Sequence, residues 1–489
     1  MTTVENIARA PQPGQLPTDV SGEPFLARLG LRFTNWAERW FPDSYVFVTL
    51  AVAVAAAAAL LSGASPLAVA KSFGDGYWSL IIFTMQMAMI VVSGYVVASS
   101  RPASRLIDGL AGLPRTGRAA VGLVAAVGML VSLIHWGMAL IFSGLFVRAL
   151  ARRTDLRMDY RAAAAAGYLG SGTTWALGLS SSAAQLQANP ASLPKSLLDI
   201  TGVIPFSQTI FLWQSLLMAA VLLIVAMGLA YLSAPSDAKA VTARMMGETV
   251  DAPQEKLLPR ERPGEWLEYS PILTLVVVVL AGGWLVQEFA AKDPISAISN
   301  LNTYNLMFLV LGALLHWRPR NFLNAVAKAV PATTGILIQF PLYAGIAAIL
   351  TTAKGASGQT VADHLAHAFV SISTTNTFPV IMGVYSAVLG FFIPSGGGKW
   401  IIEAPYVMQA ANDLKVHLGW AVQVYNAAEA LPNLINPFWM LPLLGVLGLK
   451  PRDIIGFTFM QFVFHTPIVL FLLWLFATTL TYTPPVFPH

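Results

Sequence analysis

The chain has 489 residues, 56% of them hydrophobic and 11% charged, with a net charge of +5. A soluble protein of this size could not hide so much apolar surface, so the composition reads as an all-α polytopic protein of the lipid bilayer. It has no cysteine, no HExxH-like histidine pair and no nucleic-acid-binding module, which argues against disulfides, zinc-enzyme chemistry and a nucleic-acid partner. Neither an enzyme nor a bound cofactor is expected.

Residues 1–43 read as a polar cytoplasmic tail without signal-peptide character, ending in an interfacial helix over Leu26–Phe41 with Arg28, Arg32 and Arg39. A first span is expected over Ser44–Leu61, then a short loop over Ser62–Tyr77. The second span, Trp78–Ala98, contains Gln86, either a helix–helix hydrogen bond or a substrate ligand. A basic loop with Arg101, Arg105, Arg115 and Arg118 follows. Residues 119–150 are apolar throughout, with His135-Trp136-Gly137 at the middle and arginines at both ends. One straight helix of that length would run about 48 Å and leave its basic ends on opposite sides of the membrane. A re-entrant hairpin turning at His135–Gly137 keeps them on one side. His135 could titrate near neutral pH or simply shape the tip.

The next span, Tyr160–Gln185, contains Gly-Ser-Gly-Thr-Thr-Trp175 and Gly178-Leu-Ser180-Ser181-Ser182. Such runs either unwind a helix, freeing backbone groups for a ligand, or allow close helix packing. A span over Gln208–Leu232 leads into residues 234–267, charged and proline-bearing, read as a cytoplasmic linker and not a folded domain. Further spans are expected over Ser270–Phe289, Tyr304–Trp317 and Thr333–Thr352. The last carries Gln339 and is expected to break at Pro341.

The most informative stretch is Pro394-Ser-Gly-Gly-Gly-Lys-Trp400, between apolar arms too short to cross a hydrocarbon core of about 30 Å. It reads as a second re-entrant hairpin over 378–413. Its glycines Gly396, Gly397 and Gly398 would free amides at the turn, beside the Ser395 hydroxyl. Lys399 could neutralise a substrate carboxylate, or form a fixed ion pair with Glu403 one helical turn on. A further span, Gly419–Leu447, carries Glu429, Pro432, Asn433, Asn436 and Pro437 and reads as a broken helix. Glu429 could join Asn433 and free carbonyls around a coupling Na⁺, carry a proton, or make a structural hydrogen bond. Ile454–Leu480 is the last span.

This gives about nine transmembrane helices and two hairpins. With the N-terminus in the cytoplasm, most of the 29 Lys and Arg residues fall on the inner side. The halves, 44–233 and 302–482, align as inverted repeats joined through 268–290, with Gln86 opposite Gln339, His135 opposite Pro394 and Tyr168 opposite Tyr425. Broken helices and hairpins meeting near mid-membrane in inverted repeats are a secondary-transporter architecture.

From about Phe33 to Leu475 the chain resembles the bacterial short-chain fatty acid transporter family of the ion transporter superfamily. The resemblance rests on Gly74-Asp-Gly-Tyr-Trp78, Gln86-Met87, Trp136-Gly137, Asn302-Thr-Tyr-Asn-Leu-Met-Phe308, Gln339-Phe-Pro341, Pro394-Ser-Gly-Gly-Gly398 with Trp400, and Glu429 with Asn433 and Pro437-Phe-Trp439. It implies uptake of small carboxylates such as acetoacetate and butyrate across the inner membrane, coupled to Na⁺ or H⁺, by elevator-like movement in a homodimer. An exporter or antiporter of another small organic acid or drug on the same fold is the alternative. His135, Ala176-Leu177, Lys399 and Glu403 depart from the family pattern. The expected substrate site is Trp136, Gly137, Ser180, Ser181, Ser182 and Ser395–Lys399, with Glu429, Asn433, Asn436 and His135 as the ion-coupling set.

Overall fold

The computed structural model describes residues 39, 44–237, 239–248, 250, 260–393 and 395–487. The helix expected over Leu26–Phe41 and the position of Pro394 lie outside them. The first half comprises α1 (Ser44–Leu61), α2 (Pro66–Tyr77), α3 (Ile81–Ala98), α4 (Arg101–Ala111), α5 (Gly117–Ile134) and α6 (Trp136–Ala151). It continues with α7 (Tyr160–Gly172), a 3-10 turn at Trp175–Leu177, α8 (Ser182–Ala188), α9 (Lys195–Thr201) and α10 (Trp213–Ser233). Helices α11 (Glu265–Tyr269), α12 (Ile272–Ala291) and α13 (Pro294–Ser299) connect the halves. The second half is α14 (Leu301–His316), α15 (Pro319–Ala329), α16 (Thr334–Thr352), α17 (Val361–Ile372), α18 (Phe378–Phe392), α19 (Gly396–Asp413), α20 (Leu418–Asn433), α21 (Pro437–Leu447) and α22 (Pro451–Ala477).

The protein is a helical multi-pass membrane protein. Among the described residues, six helical stretches are long and apolar enough to cross a bilayer, Ile81–Ala98 and Trp213–Ser233 among them. Starts are fixed locally: Ser65, Ser100 and Thr116 each accept an amide three residues on, and Asp159 accepts those of Arg161 and Ala162.

Packing repeats between the halves. Helix α5 lies on α7 as α18 lies on α20, α3 on α6 as α16 on α19, and α4 on α6 as α17 on α19. The first two helices of each half instead cover the span of the other: α1 and α2 pack on α16, while α14 and α15 pack on α3. The halves are thereby interlocked, and α12 stands outside them with Thr274 as its one buried residue.

Several local expectations change. Ser62–Tyr77 is not a loop but mostly α2, and the Arg-rich stretch after α3 folds as α4. In α4 the apolar Ile107 and Ala111 are buried while Arg101 and Arg105 face outward, a segregation that makes a short basic run a stable amphipathic helix. Helix α16 continues through Pro341, which forfeits one backbone bond without ending the helix. The start of the linker is pinned: Val241 donates its amide to Asp159, and Tyr160 donates to the Val241 carbonyl at 2.9 Å.

Candidate functional site

Two hairpins, α5–α6 and α18–α19, bring their tips together beside the two broken helices. The tips share one backbone geometry. His135 (φ −157°, ψ 107°) and Ser395 (φ −151°, ψ 102°) are extended residues that cap the second arm, and each side chain accepts the amide three residues on, from Met138 and Gly398 at 3.2 Å. The repeat register is therefore His135 to Ser395, one residue from the expected His135 to Pro394. The capping role decides it. The glycines likewise do not form the turn. Gly396–Gly398 are the first turn of α19, where amides lack intrahelical partners and the helix dipole is positive. No side chain fits there: a Cβ on Gly396 would come within 2.4 Å of the Trp175 ring, and one on Gly398 within 2.2 Å of Tyr343.

Opposite the tips, α7 breaks over 173–181 and α20–α21 over 434–436. The first break is stitched to the first hairpin. Leu179 donates its amide to the Leu133 carbonyl at 2.7 Å, and the Trp136 amide donates to Ser180 Oγ at 2.8 Å. Ser181 caps α8 by accepting the Ala184 amide. The halves also meet where Tyr168 donates to the Asn433 carbonyl at 2.7 Å and Asn433 Nδ2 to the Ser171 carbonyl. Tyr425 reaches the Gly396 carbonyl at 2.6 Å.

Between tips and breaks lies a cavity. Its lining mixes the apolar side chains of Met87, Leu140, Ile336 and Phe340 with Trp136, Trp175, Ser182, Ser395, the Gly396–Gly397 backbone and Asn433. Among the described residues, the buried indole nitrogens of Trp136 and Trp175 and the Asn433 Oδ1 have no hydrogen-bond partner. A neighbouring cavity shares Trp136 and Ser395 and adds Gly137 and Gln339.

The structure thus brings Trp136, Ser182, Ser395, Gly396, Gly397 and Asn433 to one cavity, with Gly137 in the next. Ser180 and Ser181 hold the first break, and Asn436 lies buried at the end of the second. Gln86 ties helices together, donating to Asn302 and accepting from Ser192, both at 2.9 Å. Gln339 accepts from Tyr343. His135 is fully buried, 3.3 Å from Ser93 Oγ and packed against the rings of Tyr304 and Phe308. Trp175 is the residue that sequence reasoning passed over, although it closes the Gly-Ser-Gly-Thr-Thr run.

Lys399 is absent from the cavity wall. It is fully buried behind the glycine turn, where Nζ lies 2.8 Å from the Ser386 carbonyl, 2.9 Å from Glu403 Oε1 and 2.9 Å from Glu429 Oε2. The Tyr425 ring closes the site at 4.4 Å. Ser386 Oγ also donates to Glu403. Lys399 thus makes the ion pair with Glu403, one of its two readings, and with Glu429 it forms one buried three-charge cluster a helical turn from the cavity: Ser395 precedes Lys399 by four residues, and Asn433 follows Glu429 by four.

Residues 25–476 match the family model described as short chain fatty acid transporter. A candidate short-chain fatty acid transporter of Escherichia coli K12 is 34% identical over 455 residues, covering 92% of this chain and 100% of the relative. A protein of Haemophilus influenzae with the same description is 30% identical over 453 residues, covering 91% and 98%. Among solved structures, the YdaH transporter of Alcanivorax borkumensis matches with TM-score 0.51 at 15% identity, covering 93% of this chain and 98% of that one. MtrF of Neisseria gonorrhoeae, described as illuminating a class of antimetabolite efflux pumps, matches with TM-score 0.55 at 12% identity, covering 94% and 100%. At these identities the likeness is one of fold.

Proposed function

The chain belongs to the short chain fatty acid transporter family, and from that premise we propose that it takes up small monocarboxylates such as butyrate and acetoacetate across the bacterial inner membrane by symport with a cation, Na⁺ or H⁺. The observation that carries this reading is the mixed lining of the cavity. Its apolar residues suit a short aliphatic tail, while Trp136 and Trp175, beside the first-turn amides of α19, carry buried indole N–H groups that have no partner among the described residues. A carboxylate accepts from such donors without needing a counter-cation in the wall. The interlocked helices α1–α3 and α14–α16 would form a frame, past which the two hairpins and broken helices move as the elevator. The N-terminus lies in the cytoplasm by the distribution of basic residues. A homodimer would use the exposed apolar surface of α12, and the mass of the purified protein–detergent particle reads this directly.

The test is counterflow of ¹⁴C-butyrate and ¹⁴C-acetoacetate in proteoliposomes, with protein-free vesicles setting the leak of the uncharged acid. Ser395→Ala and Asn433→Ala should abolish counterflow while still inserting into the membrane. Normal counterflow in both would defeat the assignment of the site.

A further inference from the structure

The cluster behind the glycine turn holds two carboxylates and one ammonium, so with all three ionised it carries one negative charge in excess. Its members are fully buried, with Lys399 and Glu403 at 0% and Glu429 at 1% exposure. An uncompensated charge at membrane depth is costly, and such residues are paired or neutralised. The hydrogen bonds show where the excess lies. Glu403 is met by Lys399 at one oxygen and by the Ser386 hydroxyl at the other. Glu429 meets Lys399 through Oε2 alone, in an ion pair at 2.9 Å, and among the described residues its Oε1 has no hydrogen-bond donor.

Among the described residues, the elements packed around Glu429 bring it no second cation. Helix α19 supplies Lys399 and Glu403, α16 supplies the Tyr343 hydroxyl, and Tyr425 is one turn earlier on α20 itself. Helix α18 carries no charged residue and presents Gly390, where a Cβ would stand 3.0 Å from Glu429 Oε2. His465 of α22 bonds to the carbonyls of Gln461 and Leu222, and Tyr168 of α7 to that of Asn433. The place of a cation beside Glu429 is taken by the Lys399 ammonium. A hard metal ion would also need several more oxygens there.

Resting on the carboxylate-transport reading above, we propose that Glu429 is the proton-carrying residue of this transporter, with Lys399 as its permanent counter-cation, so that uptake is coupled to H⁺ and not to Na⁺. Loading moves a proton from water to a Glu429 carboxylate oxygen, and unloading returns it to water on the other side. Asn433, one turn on, lines the cavity, so a substrate anion bound there meets a neutral cluster when Glu429 is protonated and a negative one when it is not. Anion and proton therefore favour each other's binding, and the coupling is reciprocal.

The full chain in liposomes tests this by butyrate counterflow at equal pH on both sides, without Na⁺, across a pH series. Wild-type exchange should fall about tenfold per pH unit on the alkaline side of the titration, whereas Glu429→Gln should lose that slope together with accumulation driven by an inward proton gradient. A strict Na⁺ requirement, or a wild-type pH slope retained in Glu429→Gln, overturns the proposal. A second measurement needs no substrate and no variant. In ester-free detergent at neutral pH, the wild-type protein should show the infrared band of a protonated carboxyl group, and its absence overturns the proposal. Wild-type protein that exchanges neither butyrate nor acetoacetate would refute the transport reading, while the infrared band still decides the protonation of the cluster.

Discussion

Trp175 shows how one side chain can select a carboxylate without a positive charge. It lines the cavity with its ring packed against Gly396, and its buried indole N–H has no partner among the described residues. A buried donor left unmet is unfavourable, and a ligand oxygen removes that penalty. A hydrogen bond to a charged acceptor contributes about 1.5 kcal/mol, close to a tenfold change in affinity. Trp175→Phe should therefore raise the KM of butyrate counterflow about tenfold, with a smaller effect on the maximal rate. An unchanged KM would remove Trp175 from the site. Lys399 illustrates the opposite case. Its sequence position beside the glycines suggests an anion ligand, but two carboxylates claim it, one four residues on and the other on a different helix. Only the second escapes a local pattern.

At the scale of elements, the tight approach of the first broken helix to the first hairpin depends on Gly178. A Cβ there would fall 2.1 Å from the Leu133 carbonyl oxygen and 2.5 Å from the Leu133 Cα, both backbone atoms that cannot swing aside. Gly178→Ala should destabilise the protein by about 3 kcal/mol, the upper part of the range for overpacking, seen as a lower midpoint in a thermal melt of the detergent-solubilised protein. Gly228 in α10 has nothing within 4 Å of a new Cβ, so Gly228→Ala should melt as the parent does. Equal melts for the two variants would contradict this packing. The same contrast explains what the sequence can convey. Long apolar runs, the two hairpins and both breaks are legible in it, because membrane depth restricts where glycine, proline and charge can stand. Helices α2, α4 and α17 are not, since segments of 11 or 12 residues with polar positions are too short and too mixed to stand out as spans. The one-residue register at the hairpin tips is also hidden, because a histidine ring and a serine hydroxyl perform the same capping bond.

For the whole molecule, the elevator reading divides the helices into a frame, α1–α3 with α14–α16, which pack across the halves, and a group that holds both hairpins and both breaks. An elevator requires these groups to slide, and a cysteine-free chain allows the requirement to be tested without background thiols. Within the frame, a Cβ on Gly312 would lie 3.5 Å from Val96 Cβ, near the roughly 3.8 Å spacing of a disulfide. Between the groups, a Cβ on Gly137 would lie 3.5 Å from the Val91 Cα. Oxidised Val96→Cys/Gly312→Cys protein should keep exchanging butyrate, because that bridge joins helices that travel together. Oxidised Val91→Cys/Gly137→Cys protein should stop, and reduction should return it to the rate it had before oxidation. Undiminished exchange through the second bridge would mean that the hairpin and the frame do not part during transport. The substrate would then have to pass between fixed groups by local opening of the hairpin tips, a smaller motion that the paired caps at His135 and Ser395 would have to release.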